Sequence, residues 1–294
     1  GRALWWKGDG GEAIASRADA YAMFRRAGHT ARAFRIAVWL AHEHAALGND
    51  AVAGGWLARA ERAAAGLPPG SEQGWLILAR SERLDDPSAV ETNARDALRI
   101  AREHGDPDLE IRALARLGVA IISTGRVDEG LQCFNEAMAA ATGGEATSPE
   151  VLGETYCDMY RAIGIVGDNG PFHQWAPVIN EFLSRTHHIA ALSFCGSCCG
   201  EMMTANGNVE AAEAEMVRAI RELQEKNQRA RCVHPAAKLA ELRVLQGRYE
   251  DAERLLEGYE GLPETVKARA SLALARGEFA IAVALLERRL NSLG

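Results

Sequence analysis

A short glycine-centred turn recurs along this chain at a nearly constant interval, and that repetition restricts the fold more than any other feature. The turns read KGDGGEA at Gly8, LGNDAVA at Gly48, LDDPSAV at Asp85 and TGRVDEG at Gly125. They continue with VGDNGPF at Gly167, NGNVEAA at Gly207, QGRYEDA at Gly247 and RGEFAIA at Gly277. Successive anchors lie 40, 37, 40, 42, 40, 40 and 30 residues apart. Glycine adopts the left-handed conformation that ends a helix, so each turn predicts a helix stop. The next residue is polar in every copy (Asp9, Asn49, Asp86, Arg126, Asp168, Asn208, Arg248, Glu278), and the Asp and Asn among them are expected to cap the following helix. A fixed period of this length marks an array whose units stack their apolar faces on one another.

Small residues keep step with the turns. Five positions past each anchor stand Ala13, Ala53, Val90, Gly130, Phe172, Ala212, Ala252 and Ala282. Twelve past it stand Ala20, Ala60, Ala97, Ala137, Ile179 and Ala219, before Tyr259 and Arg289 break the column. Each repeat therefore reads as helix A, a tight turn, then a helix B whose small face nests against helix A. Leu67-Pro68-Pro69-Gly70, Asp106-Pro107 and Ser148-Pro149 separate successive pairs, with proline expected to stop the preceding helix. The residue types agree: alanine, leucine, arginine and glutamate lose little freedom in a helix, and no segment alternates apolar and polar residues for long. The expected fold class is all-α, with tandem helix–turn–helix repeats of about 40 residues stacked into a right-handed superhelix. Residues 1–294 are expected to form one such array of about seven to eight repeats. The chain starts at Gly1 without methionine and stops at Gly294 after an apolar helical run, so it is expected to be one region of a longer protein.

The charge pattern narrows the functions. With 40 acidic against 33 basic residues the net charge is −7, and no basic stripe marks a phosphate-binding surface. No run of eighteen apolar residues and no signal segment is present, so neither a membrane span nor export is expected. Six cysteines without framework spacing fit reduced thiols in the cytoplasm.

Gly125, Ala137 and Pro149 stand where the tetratricopeptide repeat has its turn glycine, its alanine and the proline between repeats, and the chain resembles that family. The usual period there is about 34 residues, so 40 is long. In wording such as GDPDLEIRALARLGVAIISTGRVDEGLQCFNEAMAA the chain is similar to the repeat region of MalT-like and LuxR-family transcriptional regulators. The resemblance implies a sensor arm, with nucleotide-binding and DNA-binding modules elsewhere. Neither a phosphate-cradling G-x-x-x-x-G-K-[ST] nor a basic recognition helix occurs in these residues, so direct nucleic-acid binding is not expected of them.

In arrays of the tetratricopeptide type, helix A positions three, six and about nine before the turn glycine tend to face the groove. These positions and nearby aromatics nominate a ligand-binding set: Trp39, His42, Arg116, Tyr156, Asp158, Tyr160, Arg161, Trp175, Cys198, Glu201, Lys238 and Glu241. Val119, Ile122, Thr204 and Val244 fall on the same positions. Phe172, His173 and Trp175, between Pro171 and Pro177, sit with Tyr156 and Tyr160 where the fifth repeat departs from the pattern, and are read either as a pocket wall or as filling for irregular packing. The expected partner is a small molecule, a peptide or a protein, and pairing of two chains through apolar ends stays open.

Catalysis finds little support. Cys195, Cys198 and Cys199 form a Cys-x-x-Cys cluster, which with Cys157, His187 and His188 offers a metal or redox alternative to close helix packing. His42-Glu43-His44 lacks the spacing of H-E-x-x-H, and Asp85-Asp86 sits in a turn. No G-x-S-x-G is present. The chain is expected to be a non-catalytic binding module without a cofactor. The alternatives are a general peptide-binding scaffold and a cysteine-dependent metal or redox protein.

Overall fold

The computed structural model describes residues 1–294 apart from 2, 5–9, 85, 167–169, 171–173, 176, 179–180, 182–199, 201–203, 205–207, 226–228 and 292–294. All regular structure among the described residues is helical. The chain divides into two compact units, Gly1–His188 and Ile189–Gly294. The first carries α1 (Gly10–Arg26), α2 (Thr30–Ala46), α3 (Asp50–Ala64), α4 (Ser71–Ser81), α5 (Pro87–His104), α6 (Pro107–Ser123), α7 (Val127–Thr142) and α8 (Pro149–Val166). The second carries α9 (Val209–Glu225), α10 (Val233–Leu245), α11 (Tyr249–Leu256), α12 (Val266–Ala275) and α13 (Phe279–Asn291).

The turn glycines behave as their spacing demands. Gly48, Gly125, Gly247 and Gly277 all have φ between +73° and +85°. In each case the next amide reaches back five residues: Asn49 to His44, Arg126 to Ile121, Arg248 to Arg243 and Glu278 to Ala273. That bond consumes a carbonyl the helix end would otherwise leave unpaired. Gly28, Gly105 and Gly144 close α1, α5 and α7 with the same left-handed backbone.

Capping follows the expectation only in part. Asp86 accepts from the amides of Ser88 and Ala89 at 3.0 and 3.3 Å, and Asn208 from that of Ala211 at 3.4 Å. Asn49 makes no side-chain cap. Its ψ is 58°, whereas the capping Asp86 and Asp106 have ψ of 112° and 96°, the extended backbone from which a side chain folds over the first turn. The prolines also act differently from the expectation. Pro87, Pro107 and Pro149 occupy the first position of α5, α6 and α8, where the missing N–H costs nothing, so they start helices.

Packing within each unit is regular. Each helix of the first unit lies against the next, and the A helices form their own layer, α2 on α4, α4 on α6 and α6 on α8. In the second unit α10 likewise packs on α12. This is the neighbour pattern of stacked helix pairs. The small-residue columns are what lets the layers approach: Ala13, Ala53, Ala60, Ala97, Ala137, Ala212, Ala219, Ala252 and Ala282 are all buried. Gly118 on α6 and Gly130 on α7 let the two helices cross closely, because a Cβ on Gly130 would stand 2.5 Å from Ile122 Cγ1 and 2.8 Å from the Gly118 carbonyl oxygen.

Helix α6 has neighbours on every side, and nearly every residue from Asp108 to Ile122 is buried. At the other extreme α13 buries Ala282 and exposes Phe279, Ile281, Val283, Leu286 and Leu290.

Two glycines separate packing from propensity. Gly130→Ala is expected to lower stability by about 1–3 kcal/mol through overpacking. Gly55→Ala, mid-helix in α3 with open space where the Cβ would go, should raise it by about 0.5–1 kcal/mol. Thermal melts of both variants, monitored by helical circular dichroism, check the opposite signs.

Candidate functional site

The distinctive chemistry of the first unit lies on its layer of A helices, and it begins with the spacing of three acids on α8. Glu150, Glu154 and Asp158 stand four residues apart, so they share one face with about 6 Å between successive positions. Each meets a cation from a different helix. Arg17 of α1 reaches Glu150 at 3.3 Å and also pairs with Glu43 of α2. His42 of α2 places Nε2 3.1 Å from Glu154 Oε1 and Nδ1 3.1 Å from Glu82 Oε2, just past the end of α4. Arg112 of α6 bonds Asp158 at 2.8 Å, with Arg116 at 3.6 Å and Arg161 at 3.9 Å from the same carboxylate.

The start of α8 is fixed by α6. Asp108 accepts from the amide and hydroxyl of Thr147 at 2.8 and 2.5 Å and from the amide of Ser148 at 3.3 Å. One residue pair earlier, Asp106 divides its carboxylate between two tasks. Oδ1 caps α6 at the Leu109 amide, and Oδ2 accepts from the Trp75 indole N–H, both at 3.0 Å. Arg35 lies over the Trp75 ring at 4.4 Å, a cation–π contact that fixes the indole from its other side.

A narrow cleft with a cavity volume of about 30 Å³, partly open to solvent, lies beside this network. Val38, Trp39, Trp75, Leu78 and Ala79 give it apolar walls, and its polar lining is His42, Glu82, Arg112, Arg116 and Glu154. Trp39 meets the His42 ring edge-to-face at 5.6 Å. The same two tryptophans border a second, more polar recess that includes Arg17, Arg35, Asp108 and Glu150.

The electrostatics follow from burial set against pairing. Burial opposes charge on His42, but the carboxylates of Glu154 and Glu82 outweigh it and raise its pKa well above the ordinary 6.5. Burial pushes Asp158 up, and Arg112, Arg116 and Arg161 more than reverse this, leaving it below 3.8. Glu82 is held below 4.5 by His42, Arg112 and Arg116 against its own burial. His42 is thus an imidazolium clamped between two carboxylates.

The nominated residues divide among several places. Trp39, His42 and Arg116 line the cleft, and Asp158 with Arg161 stands behind its arginines. Tyr156 and Tyr160 are buried in the core. Trp175 donates to Asn135 Oδ1 of α7 at 2.9 Å, in the B layer. Lys238 and Glu241 belong to the second unit, where they pair at 3.5 Å and Glu241 also meets Lys267 at 2.8 Å. Cys198 and Glu201, like Cys195, Cys199, Phe172, His173, His187 and His188, lie outside the described residues, while the Thr204 hydroxyl donates to the Gly200 carbonyl oxygen at 2.8 Å. Val119 and Ile122 are core residues; Ile122 packs where Gly130 leaves room.

Trp75, Glu82, Arg112 and Glu154 escaped the sequence reading. For Arg112 and Glu154 the signal was present: positions thirteen and nine before the turn glycine, one helical turn apart, give Arg35/Trp39, Arg112/Arg116 and Glu154/Asp158. Trp75 and Glu82 fall on neither position.

Comparison of the chain with protein-family models and with curated proteins finds no match to either.

Two measurements probe the network. Asp158→Ala leaves Arg112 and Arg116 buried without their carboxylate and is expected to cost about 3–5 kcal/mol in a denaturant titration. The pH response has a defined sign for each group. His42, with a raised pKa, contributes stability that is complete below pH 6.5 and lost as pH rises through its raised value. Glu82 and Asp158, with lowered values, contribute stability present above the ordinary carboxylate range and lost on acidification. Melting temperature measured across pH should therefore fall at both ends, and His42→Gln should remove the alkaline fall while leaving the acid one.

Proposed function

We propose that this chain is the ligand- or partner-sensing repeat region of a cytoplasmic transcriptional regulator of the LuxR/MalT-like kind, and that it binds at the Trp39–Trp75 cleft without catalysing a reaction. The observation that carries the reading is the combination of two indole walls with a converging set of charged side chains, on the layer formed by the A helices. Apolar walls with a few placed polar groups are what small-molecule sites are built from. The sequence supports the regulator context through its 40-residue period and its resemblance to the repeat region of such proteins. A membrane role draws no support, since no helix among the described residues is long and apolar enough to cross one.

In this reading a ligand acts by stiffening the joint between repeats. The cleft draws residues from α2, α4, α6 and α8, so occupancy favours one spacing of those helices over others. Spacing is the variable through which a stacked array can report to a neighbouring module.

The alternative is a general scaffold for protein or peptide partners. It is favoured by the exposed apolar side chains of α13 in the second unit, a surface of the kind that partners cover.

A thermal-shift screen against small metabolites, short peptides and metal ions separates the two, because a ligand of the folded state raises the melting temperature with concentration. A small-molecule shift that disappears in Trp75→Ala supports the sensor. A flat screen, with partners captured through α13 and lost in Phe279→Ser, supports the scaffold.

A further inference from the structure

We infer that the more polar recess bordered by Trp39 and Trp75 takes a small carboxylic acid, held with its carboxylate against the open edge of the Arg35 guanidinium. The inference rests on these two tryptophans marking a ligand site, and adds where the ligand lies and what it carries.

Room decides the place. The narrow cleft beside His42 holds about 30 Å³, enough for about two water molecules. The recess measures about 420 Å³ and is partly open, within the range of small-molecule pockets. Its lining joins the two indoles and Ile36 to the hydroxyls of Ser16, Thr147 and Ser148, so a flat apolar body with a hydrogen-bonding group suits it.

Arg35 decides the chemistry. Its guanidinium sits over the Trp75 ring at 4.4 Å, a contact that holds the cation in place without using a donor. Its five donors make no hydrogen bond with any described residue, and its ion pair to Asp106, at 3.6 Å, is beyond hydrogen-bond length. Asp106 is already taken, Oδ1 by the Leu109 amide and Oδ2 by the Trp75 indole N–H. Nη1 of Arg35 is enclosed by protein, whereas Nε and Nη2 reach solvent, and the side chain is 38% exposed. Nε and Nη2 form an edge that two carboxylate oxygens can bridge in one plane. A fork already positioned and still unbonded loses little freedom when the ligand arrives.

The other charged side chains of the recess are engaged. Arg17 pairs with Glu43 and Glu150, and Glu150 also accepts from the Ser148 hydroxyl at 2.7 Å. Asp108 accepts from the amide and hydroxyl of Thr147 and from the amide of Ser148. Among the described residues of the lining, Arg35 is the charged side chain with donors left to give.

The same head group comes from a free small acid or from the C-terminus of a peptide. Isothermal titration of the full chain at pH 7 with 4-hydroxyphenylacetate and 4-hydroxyphenylacetamide varies the head on a constant body. A short peptide ending in tyrosine, as free acid and as amide, tests the second source. Saturable binding of an acid at least tenfold tighter than its amide is expected, and the series in which it appears identifies the source. Arg35→Gln should weaken the acid at least tenfold. Arg35→Lys, which keeps the charge without the fork, should be intermediate, and the exposed Arg99→Gln of α5 unchanged. Circular dichroism melts identify a variant that fails to fold, and Arg35→Lys then carries the comparison. Equal binding of acid and amide, or acid binding indifferent to Arg35, overturns the carboxylate contact while leaving the tryptophans as a ligand site. Absence of binding in both series overturns the inference, and the reading above then stands or falls by its own wider screen.

Discussion

Three carboxylates on one face of α8 organise the first unit. Glu150, Glu154 and Asp158 rise along the helix four residues apart, and α1, α2 and α6 each present a cation to one of them. The arrangement is forced from the other side as well. Helix α6 is buried all round, and a buried helix can carry Arg112 and Arg116 only if neighbours bring acceptors to them. Asp158 and Glu82 do so from α8 and from the end of α4. Hydrophobic burial decides that α6 lies at the centre, and the ion pairs then decide the register of the helices around it.

The same economy of groups shapes the cleft. Asp106 caps α6 with one oxygen and holds the Trp75 indole with the other, so the wall of the cleft is built on a helix start. His42 pairs with carboxylates of α8 and of the end of α4 through its two ring nitrogens, which fixes the imidazole plane edge-to-face with Trp39. Rigid side chains locked by such neighbours form a more defined surface than the same residues on a loop.

Much of the fold was legible in the sequence because it is local. A glycine that must take positive φ announces itself at Gly48, Gly125, Gly247 and Gly277, and small residues at fixed offsets announce the helix crossings. Where local signs misled, a second local condition governed: Asn49 has the right side chain for a cap but the wrong ψ, and Pro107 starts a helix while Gly105 ends the one before it. The site was less legible, since an offset from a turn names a face of a helix without naming its partner. Trp39, His42 and Arg116 were found that way. Val119 shares the offset of His42 yet is core, because α6 has neighbours on every side and α2 does not. Tyr156 and Tyr160 were nominated for their aromatic character alone, and aromatic character serves a core equally well. Glu82 gains meaning only through His42, 40 positions earlier, a relation no local window along the chain contains.

The contact between Arg17 and Glu150 spans 133 positions of sequence and ties α1 to α8. Almost every other contact in the stack joins a helix to one of its next two neighbours, so the chain can assemble pair by pair with little loop-closure cost. Arg17 and Glu150 meet only when the intervening helices are already in place. Their bond therefore belongs to the native state and not to the barrier before it, and its loss should appear as faster unfolding at an unchanged folding rate. A clasp of this kind governs how long the unit stays folded more than how readily it folds.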